Sequence, residues 1–397
     1  MRVLFVIPYY KPAFVYGGPV RSISSLCKAM ARAGAQATVF TTNANGQDQL
    51  DVPLGQPIDI DGVQVYYFRR IRGLLPFYSP NLGRACAQRI REFDLVHSSA
   101  LWTYPMRAAA SACRRYNVPR IESPRGGLMP WDLRHNYWKK WLYLALFERA
   151  RLNAAAAIHC TDEMEQQAIK QLGLKPPTFV VPNPIEFTEF SSLPARGKLR
   201  SRLGLPESSM VTLFLSRISA KKGLDLAIRA FVDVAHKHPD AHFVVAGPDD
   251  DGSGRRAQWL TRQLGLQKQV HFIGMVTGED RLSALADADL FILTSHSENF
   301  GMAAAEALAA GLPVLLSDQV GIARQVARAG AGAIVPLDVS SIAHAWSALL
   351  DNPGELKAMG KRGRKLVQQE YDADAVARRM LDVYYQVIQD WRTRTLK

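Results

Sequence analysis

The chain has 397 residues, 48% of them hydrophobic and 21% charged, with a formal net charge of +13. This is the balance of a soluble globular protein, and the length suits two domains. No stretch approaches the roughly 20 consecutive apolar residues of a membrane span, which excludes an integral helical membrane protein from consideration.

The N-terminus, MRVLFVIPYYKP, holds a short apolar run without the long hydrophobic segment and cleavage site of a signal peptide. It reads as a first strand over residues 2–8. A loop with Gly17, Gly18 and Pro19 follows, then a helix around 20–33 that stops at Gly34, then a strand over 37–42. Further strands are expected at 63–68, 94–98, 119–123, 156–161 and 178–181, with helices between most of them. Strands that alternate with helices predict a doubly wound, parallel α/β sheet. The segment PPTFVVPNPIEF carries four prolines and marks a boundary, with the first domain expected over 1–180, a linker over 181–195 and the second domain over 196–372. The second half repeats the logic, with strands at 211–216, 243–247, 270–274, 288–295 and 314–316, and two closing helices near 355–369 and 373–392.

Charge is unevenly spread. Between Arg69 and Arg151 stand sixteen Lys or Arg residues against five acids, a net +11, while the rest is near neutral. A basic concentration of this kind implies an anionic partner. Within it, Trp131, Trp138, Trp141 and Tyr143 interleave with Arg134, Lys139 and Lys140. Two readings stand: an interfacial helix on an anionic membrane surface, or an aromatic stripe facing the core with a wet basic face. No recognised nucleic-acid-binding module is present. Cys27, Cys86, Cys113 and Cys160 are scattered, form no CxxC pair and no ligand cluster, and read as buried thiols in a reducing cytoplasm.

The most informative run is SHSENFGMAAAEALAAGLPVLLSD, 295–318. A strand enters a polar turn containing Gly301, an Ala-rich helix follows, and Gly311 and Pro313 lead into another strand. Loops at the carboxyl ends of parallel strands are where open α/β sheets bind ligands, and a helix N-terminus suits a phosphate. Glu298 lies in that loop and Glu306 eight residues on, in an otherwise apolar helix where an unpaired charge is costly. A phosphate flanked by two carboxylates that accept from hydroxyls describes a sugar nucleotide. Arg217 and Lys222, in SRISAKKG, stand in another strand-to-helix loop, where two cations can clamp a diphosphate and neutralise a departing one. Gly17 and Gly18 allow backbone N–H groups close to a ligand, or serve a tight turn that needs positive φ. His97 closes the run DLVH, and Arg125 stands in SPRGG; each reads either as facing a cleft or as a satisfied structural residue.

Assembled, these segments resemble the retaining glycosyltransferases of family 4. The likeness spans nearly the whole chain: GGPV, DLVH, SPRGG, SRISAKKG, VVAGPD, FIGMV and, most specifically, SENFGMAAAEALAAGLPVLLSD. It implies the GT-B fold, two Rossmann-like domains facing a cleft, with the C-terminal helix of 373–397 crossing back to brace the first. It implies that Glu298 contacts donor-sugar hydroxyls and that Glu306 holds the nucleotide ribose. Asn299, Phe300 and Gly301 would supply backbone contacts, Val276 would lie near the base, Arg217 and Lys222 would bind the diphosphate, and Gly18 would approach it from the other domain. The family generally needs no metal or other cofactor. Where many relatives carry His-x-His, this chain has His97-Ser98-Ser99, so the role of Ser99 is open; Ser216 stands where relatives often have Gly.

The expectation is a cytoplasmic, peripherally membrane-associated hexosyltransferase that serves cell-surface glycan synthesis. Its donor would be UDP- or GDP-linked, and its acceptor, lipid-linked or polysaccharide, would meet the first domain near Gly17, Ser99 and Arg125. The catalytic set would be Glu298, His97, Arg217 and Lys222. Two rivals are a sugar-nucleotide epimerase of the same architecture, which would act on the donor without an acceptor, and a non-catalytic lipid- or glycan-binding relative.

Overall fold

The computed structural model describes residues 1–73, 75–134 and 137–395, and the side chains of all of these except Tyr137, Lys139 and Thr395. Lys139, one of the cations counted in the basic stretch, therefore lies outside the described side chains. The chain divides into two compact units: Met1–Pro184 together with the C-terminal helix Ala373–Thr395, and Ile185–Asp372.

In the first unit the strands are β1 (Arg2–Val6), β2 (Gln36–Thr42), the small hairpin β3 (Ala44–Asn45) and β4 (Asp48–Gln49), β5 (Pro57–Ile60), β6 (Val63–Phe68), β7 (Leu95–Ser99), β8 (Arg120–Ser123), β9 (Ala157–Cys160) and β10 (Thr178–Val180). Apart from the hairpin they form one sheet in the order β10-β9-β8-β7-β1-β2-β6-β5. All its pairings are parallel except β5–β6, a short antiparallel edge that the alternation of strands and helices does not reveal. Alternation along β1 shows why the sheet is covered on both sides. Val3 and Phe5 enter a core with Leu26 and Met30 of the helix Gly18–Arg32 and with Val376, Met380 and Tyr384 of the C-terminal helix. Leu4 and Val6 enter a second core with Leu82 and Cys86 of the helix Pro80–Arg89 and with Met106 and Ala109 of the helix Tyr104–Tyr116.

The second unit holds β11 (Met210–Leu215), β12 (Ala241–Ala246), β13 (Val270–Gly274), β14 (Leu290–Leu293), β15 (Val314–Ser317) and β16 (Gly332–Val335), all parallel, in the order β13-β12-β11-β14-β15-β16. Val314–Ser317 and Leu290–Leu293 are wholly buried runs, as a strand covered on both faces requires. Trp346, fully buried, packs its ring 5.1 Å from those of Phe231 and Phe243, and its Nε1–H donates to Thr212 Oγ1 at 2.9 Å. A buried indole needs such a partner for its one polar atom.

The basic stretch is only partly a surface. Arg120, Glu122, Glu148 and Arg151 form a buried ion cluster: Arg120 and Arg151 both pair with Glu122, and Arg151 also pairs with Glu148. Burial, followed by the neighbouring Arg151 charge, lowers the Arg120 guanidinium to about 9. Charges this deep persist only when paired. The four cysteines are buried free thiols.

Candidate active site

In the second unit the chain runs outward from β11 through β12 and β13, then returns to place β14 on the other side of β11. Between β11 and β14 lies the switch in strand order where parallel sheets bind ligands, at the carboxyl ends. The loop after β11 carries Arg217 and Lys222; the loop after β14 carries Glu298. The fold thus brings together two motifs that stand about 80 residues apart in sequence.

Close backbone approach builds this edge. The Gly223 carbonyl accepts from Thr294 Oγ1 at 2.8 Å, and His296 N–H donates to the Lys221 carbonyl at 2.8 Å. A Cβ on Gly223 would lie 2.1 Å from the Thr294 carbonyl oxygen, and φ there is +60°. Gly247, after β12, lies just as close to Ser216.

Lys222 and Glu298 form an ion pair, and both side chains are largely buried. Burial pushes the Glu298 carboxyl up; Lys222, then Lys221 and Arg217, outweigh it and hold the group below its ordinary range. Arg217 is half-exposed and pairs with Asp250 at 2.7 Å, while Asp251 accepts from the Ala220 N–H at 3.1 Å. The 248–252 turn therefore holds the cationic loop, a role for Asp250 and Asp251 that their sequence DDD did not disclose.

Glu298 has its backbone fixed on both sides: its N–H donates to the Gln319 carbonyl at 3.0 Å and its carbonyl accepts from Gly321 at 2.9 Å. Phe300 packs against Tyr371 with ring centroids 5.2 Å apart, and its carbonyl accepts from Ile322. Its side chain is core. Gly301, at φ +99°, opens the helix Met302–Ala309, and among the described residues no side chain caps that end. Asn299 is half-buried beside it, and Val276 is buried just beyond β13.

Glu306 sits on the buried face of the 302–309 helix and accepts from Arg281 Nη1 at 2.7 Å. Arg281 comes from the helix Gly278–Asp287, reaches Glu189 through Nη2 at 2.9 Å, and stacks over the Phe190 ring. The sequence reading missed Arg281, which directly follows Glu279 and Asp280 and so looks like an ordinary surface cation.

In the first unit the corresponding switch lies between β1 and β7. Gly17, at φ +71°, and Gly18 begin the helix after β1. Ser99, the last residue of β7, accepts from Arg125 Nε at 3.0 Å. Arg125 Nη1 also donates to Ser22 Oγ at 3.3 Å and to the Asn183 side-chain oxygen. Ala100, Trp102 and Arg125 all have positive φ, a concentration of backbone strain at one sheet edge that marks functional loops. His97 departs from the cleft-facing expectation. Its strand continues two residues beyond it, and its ring lies wholly in the core, with Nδ1 hydrogen-bonded to Tyr384 Oη of the C-terminal helix. Burial, then His159 and Arg125, hold it far below the usual histidine range, so it is a neutral structural residue rather than an acid–base group.

The model of the glycosyl transferase 4-like domain matches residues 17–184, and that of the glycosyl transferases group 1 matches residues 195–366. The D-inositol 3-phosphate glycosyltransferase of Kineococcus radiotolerans is 27% identical over 94% of this chain and 91% of its own. Among solved structures, sucrose-phosphate synthase from Thermosynechococcus elongatus superposes with a TM-score of 0.79 at 20% identity, covering 98% of this chain and all of its own. Anabaena HepE, solved in complex with UDP and glucose, gives 0.78 at 21% identity over 97% of this chain and 100% of its own. The chain is thus a glycosyltransferase of family 4, built on the GT-B fold.

Proposed function

We propose that the chain moves a hexose from a nucleotide-diphosphate sugar to a lipid-linked or polysaccharide acceptor, with retention of anomeric configuration. The observation that carries this reading is the convergence of Arg217, Lys222 and Glu298 at the β11/β14 switch, with Glu306 paired to Arg281 on the helix that opens there. A Lys ammonium has three donors, so Lys222 can keep Glu298 and still meet a phosphate oxygen. Arg217 is half-exposed and can exchange Asp250 for a diphosphate, which would neutralise charge growing on the leaving nucleotide. Glu298, held ionised, can accept from sugar hydroxyls. Glu306 can accept from a ribose hydroxyl while Arg281 fixes its rotamer. Asn299 and Gly301 can offer N–H groups to the sugar and phosphates, as can the backbone of Phe300. In the family, attack on the face that the nucleotide leaves gives retention, and the donor phosphate can take the acceptor proton. No resident metal or cofactor enters this reading. On the first unit, the reading assigns Gly17, Gly18, Ser99 and Arg125 to substrate.

The test is incubation of UDP- and GDP-sugars with and without a panel of lipid-linked and oligosaccharide acceptors, followed by NMR of the anomeric proton. A new glycoside of unchanged anomeric configuration supports the reading. Interconversion of the donor without an acceptor would overturn it in favour of an epimerase. Donor binding with no product across the panel would favour a binding relative.

A further inference from the structure

The helix Tyr137–Tyr143, the wider π-helical turn Leu144–Glu148 and the helix Arg149–Asn153 follow one another without a break. Leu144, Glu148 and Leu152 recur every four residues and are buried, so this is the inward face. The opposite face ought to be polar in a protein bathed only by water. It is not: Trp138, Trp141, Leu142 and Leu146, spaced as one helical stripe, are all exposed, Trp138 at 67% and Leu146 at 60%. Phe147, also exposed, flanks them against Tyr143. The structure thereby removes the core-facing reading of this stripe, whose residues face outward.

The surroundings are positive. Arg107, on the exposed face of the helix Tyr104–Tyr116, lies over the Phe147 ring at 5.8 Å and donates to Tyr143 Oη at 3.4 Å. Arg114, two turns further along that helix, and Arg134 are also exposed. Residues 104–153 contain only three acids, Glu122, Asp132 and Glu148, of which Glu122 and Glu148 are buried in the ion cluster. Arg120 and Arg151, part of the basic stretch, are spent in that cluster. What remains is a compact apolar and aromatic stripe flanked by cations. Exposed apolar patches of this kind mark interaction surfaces, and Trp beside Arg suits the boundary of an anionic bilayer. Among the described residues no helix is long and apolar enough to cross one.

We propose that this face docks the chain on an anionic phospholipid surface, with Trp138, Trp141, Leu142 and Leu146 entering the headgroup boundary and Arg107, Arg114 and Arg134 meeting lipid phosphates. The proposal stands apart from the transfer reaction; where that reading also holds, docking delivers the chain to a lipid-linked acceptor.

The test is co-sedimentation with phosphatidylcholine vesicles, with and without phosphatidylglycerol, at low and high salt. Binding is expected only with phosphatidylglycerol, and weaker at high salt because screening shortens the reach of the cations. The triple substitution Trp138→Ser, Leu142→Ser, Leu146→Ser and the pair Arg107→Glu, Arg134→Glu should each lower partitioning at least about tenfold. Both variants keep buried residues intact and should show parental circular dichroism and a parental thermal shift with nucleotide, so loss of docking is separable from loss of the donor site. Absence of binding to anionic vesicles at low salt would overturn the proposal, as would parental binding by both variants. A parental dimer in light scattering that the triple variant converts to monomer would overturn it too, and assign the face to self-association.

Discussion

Arg281 holds Glu306 in a buried ion pair of 2.7 Å, and the same guanidinium ties the helix of Glu306 to Glu189 near the start of the second unit. Glu306 is the carboxylate that the family likeness assigns to ribose, so its geometry depends on a residue from a different helix. Breaking a buried pair from one side leaves the other charge stranded. Arg281→Met should therefore destabilise the second unit by roughly 3–5 kcal/mol in chemical denaturation. Adding Glu306→Gln should recover part of that loss, because the two residues are coupled. A cost below about 1 kcal/mol for the single substitution, the level of an ordinary surface pair, would contradict the assigned burial.

Lys222 is the largest influence that opposes the burial of Glu298. Its removal in Lys222→Met should raise the Glu298 carboxyl. A lowered carboxyl contributes stability above its unfolded range, and that contribution is lost only as pH falls through the lowered folded value. In the variant that contribution is reduced or reversed, so less stability is lost on acidification. The variant should be the less stable protein at neutral pH, and its melts should converge with the parent's as pH falls through the carboxylate range. Nucleotide affinity at neutral pH should fall roughly 10- to 100-fold, the scale of one hydrogen bond to a charged group.

His159 is buried, donates its Nε2–H to the Val181 carbonyl at 2.8 Å, and is held down to about 3, chiefly by burial and then by Arg125. A histidine lowered on folding takes up its proton first in the unfolded chain, so its contribution is intact above about 6.5 and is lost toward 3. Asp162, raised by burial to about 7, works in the opposite sense, favouring the fold at low pH and losing that contribution as pH rises toward 7. The difference between parent and variant is therefore the readout. His159→Gln should flatten the parental decline below pH 6.5 by up to about 1.4 kcal/mol per pH unit. Identical pH profiles would contradict a neutral buried imidazole.

Gly223 and Gly311 both have positive φ, but only Gly223 faces another chain segment at close range. Gly311→Ala should cost about 1–2 kcal/mol, the left-handed penalty alone. Gly223→Ala must also displace the Thr294 carbonyl, and should cost more and weaken nucleotide binding by shifting Lys222. Equal effects on stability and binding, measured by melting and calorimetry, would sink the proposed contact between the two loops.

Much of this arrangement is legible without coordinates. Leu290–Leu293 and Val314–Ser317 announce themselves as apolar runs bounded by polar residues, Gly and Pro, and Glu298 stands out because it closes one of them. Short elements are less visible. Pro57–Ile60 is half-exposed and antiparallel, and Gly332–Val335 opens on a glycine. The misreading of His97 has a long-range cause: its partner Tyr384 is 287 residues away, on a helix that returns from beyond the second unit. Arg281 escaped for the same reason, since Glu306 lies 25 residues off on another helix and no spacing rule links them. Motifs announce the ligand-facing loops; the partners that ionise and orient them come from tertiary packing.

The central claim is that the β11/β14 edge binds a nucleotide-diphosphate sugar. The most direct measurement is thermal stabilisation by UDP, GDP, ADP and their sugars, in the parent and in Arg217→Ala, Lys222→Met and Glu306→Ala. Stabilisation grows as RT ln(1 + [L]/Kd), so a ligand at about 100 Kd adds roughly 2.7 kcal/mol. The expected result is a clear shift with nucleotides of one base, reduced in all three folded variants. No shift with any nucleotide, or a shift that all three variants retain, would contradict the claim.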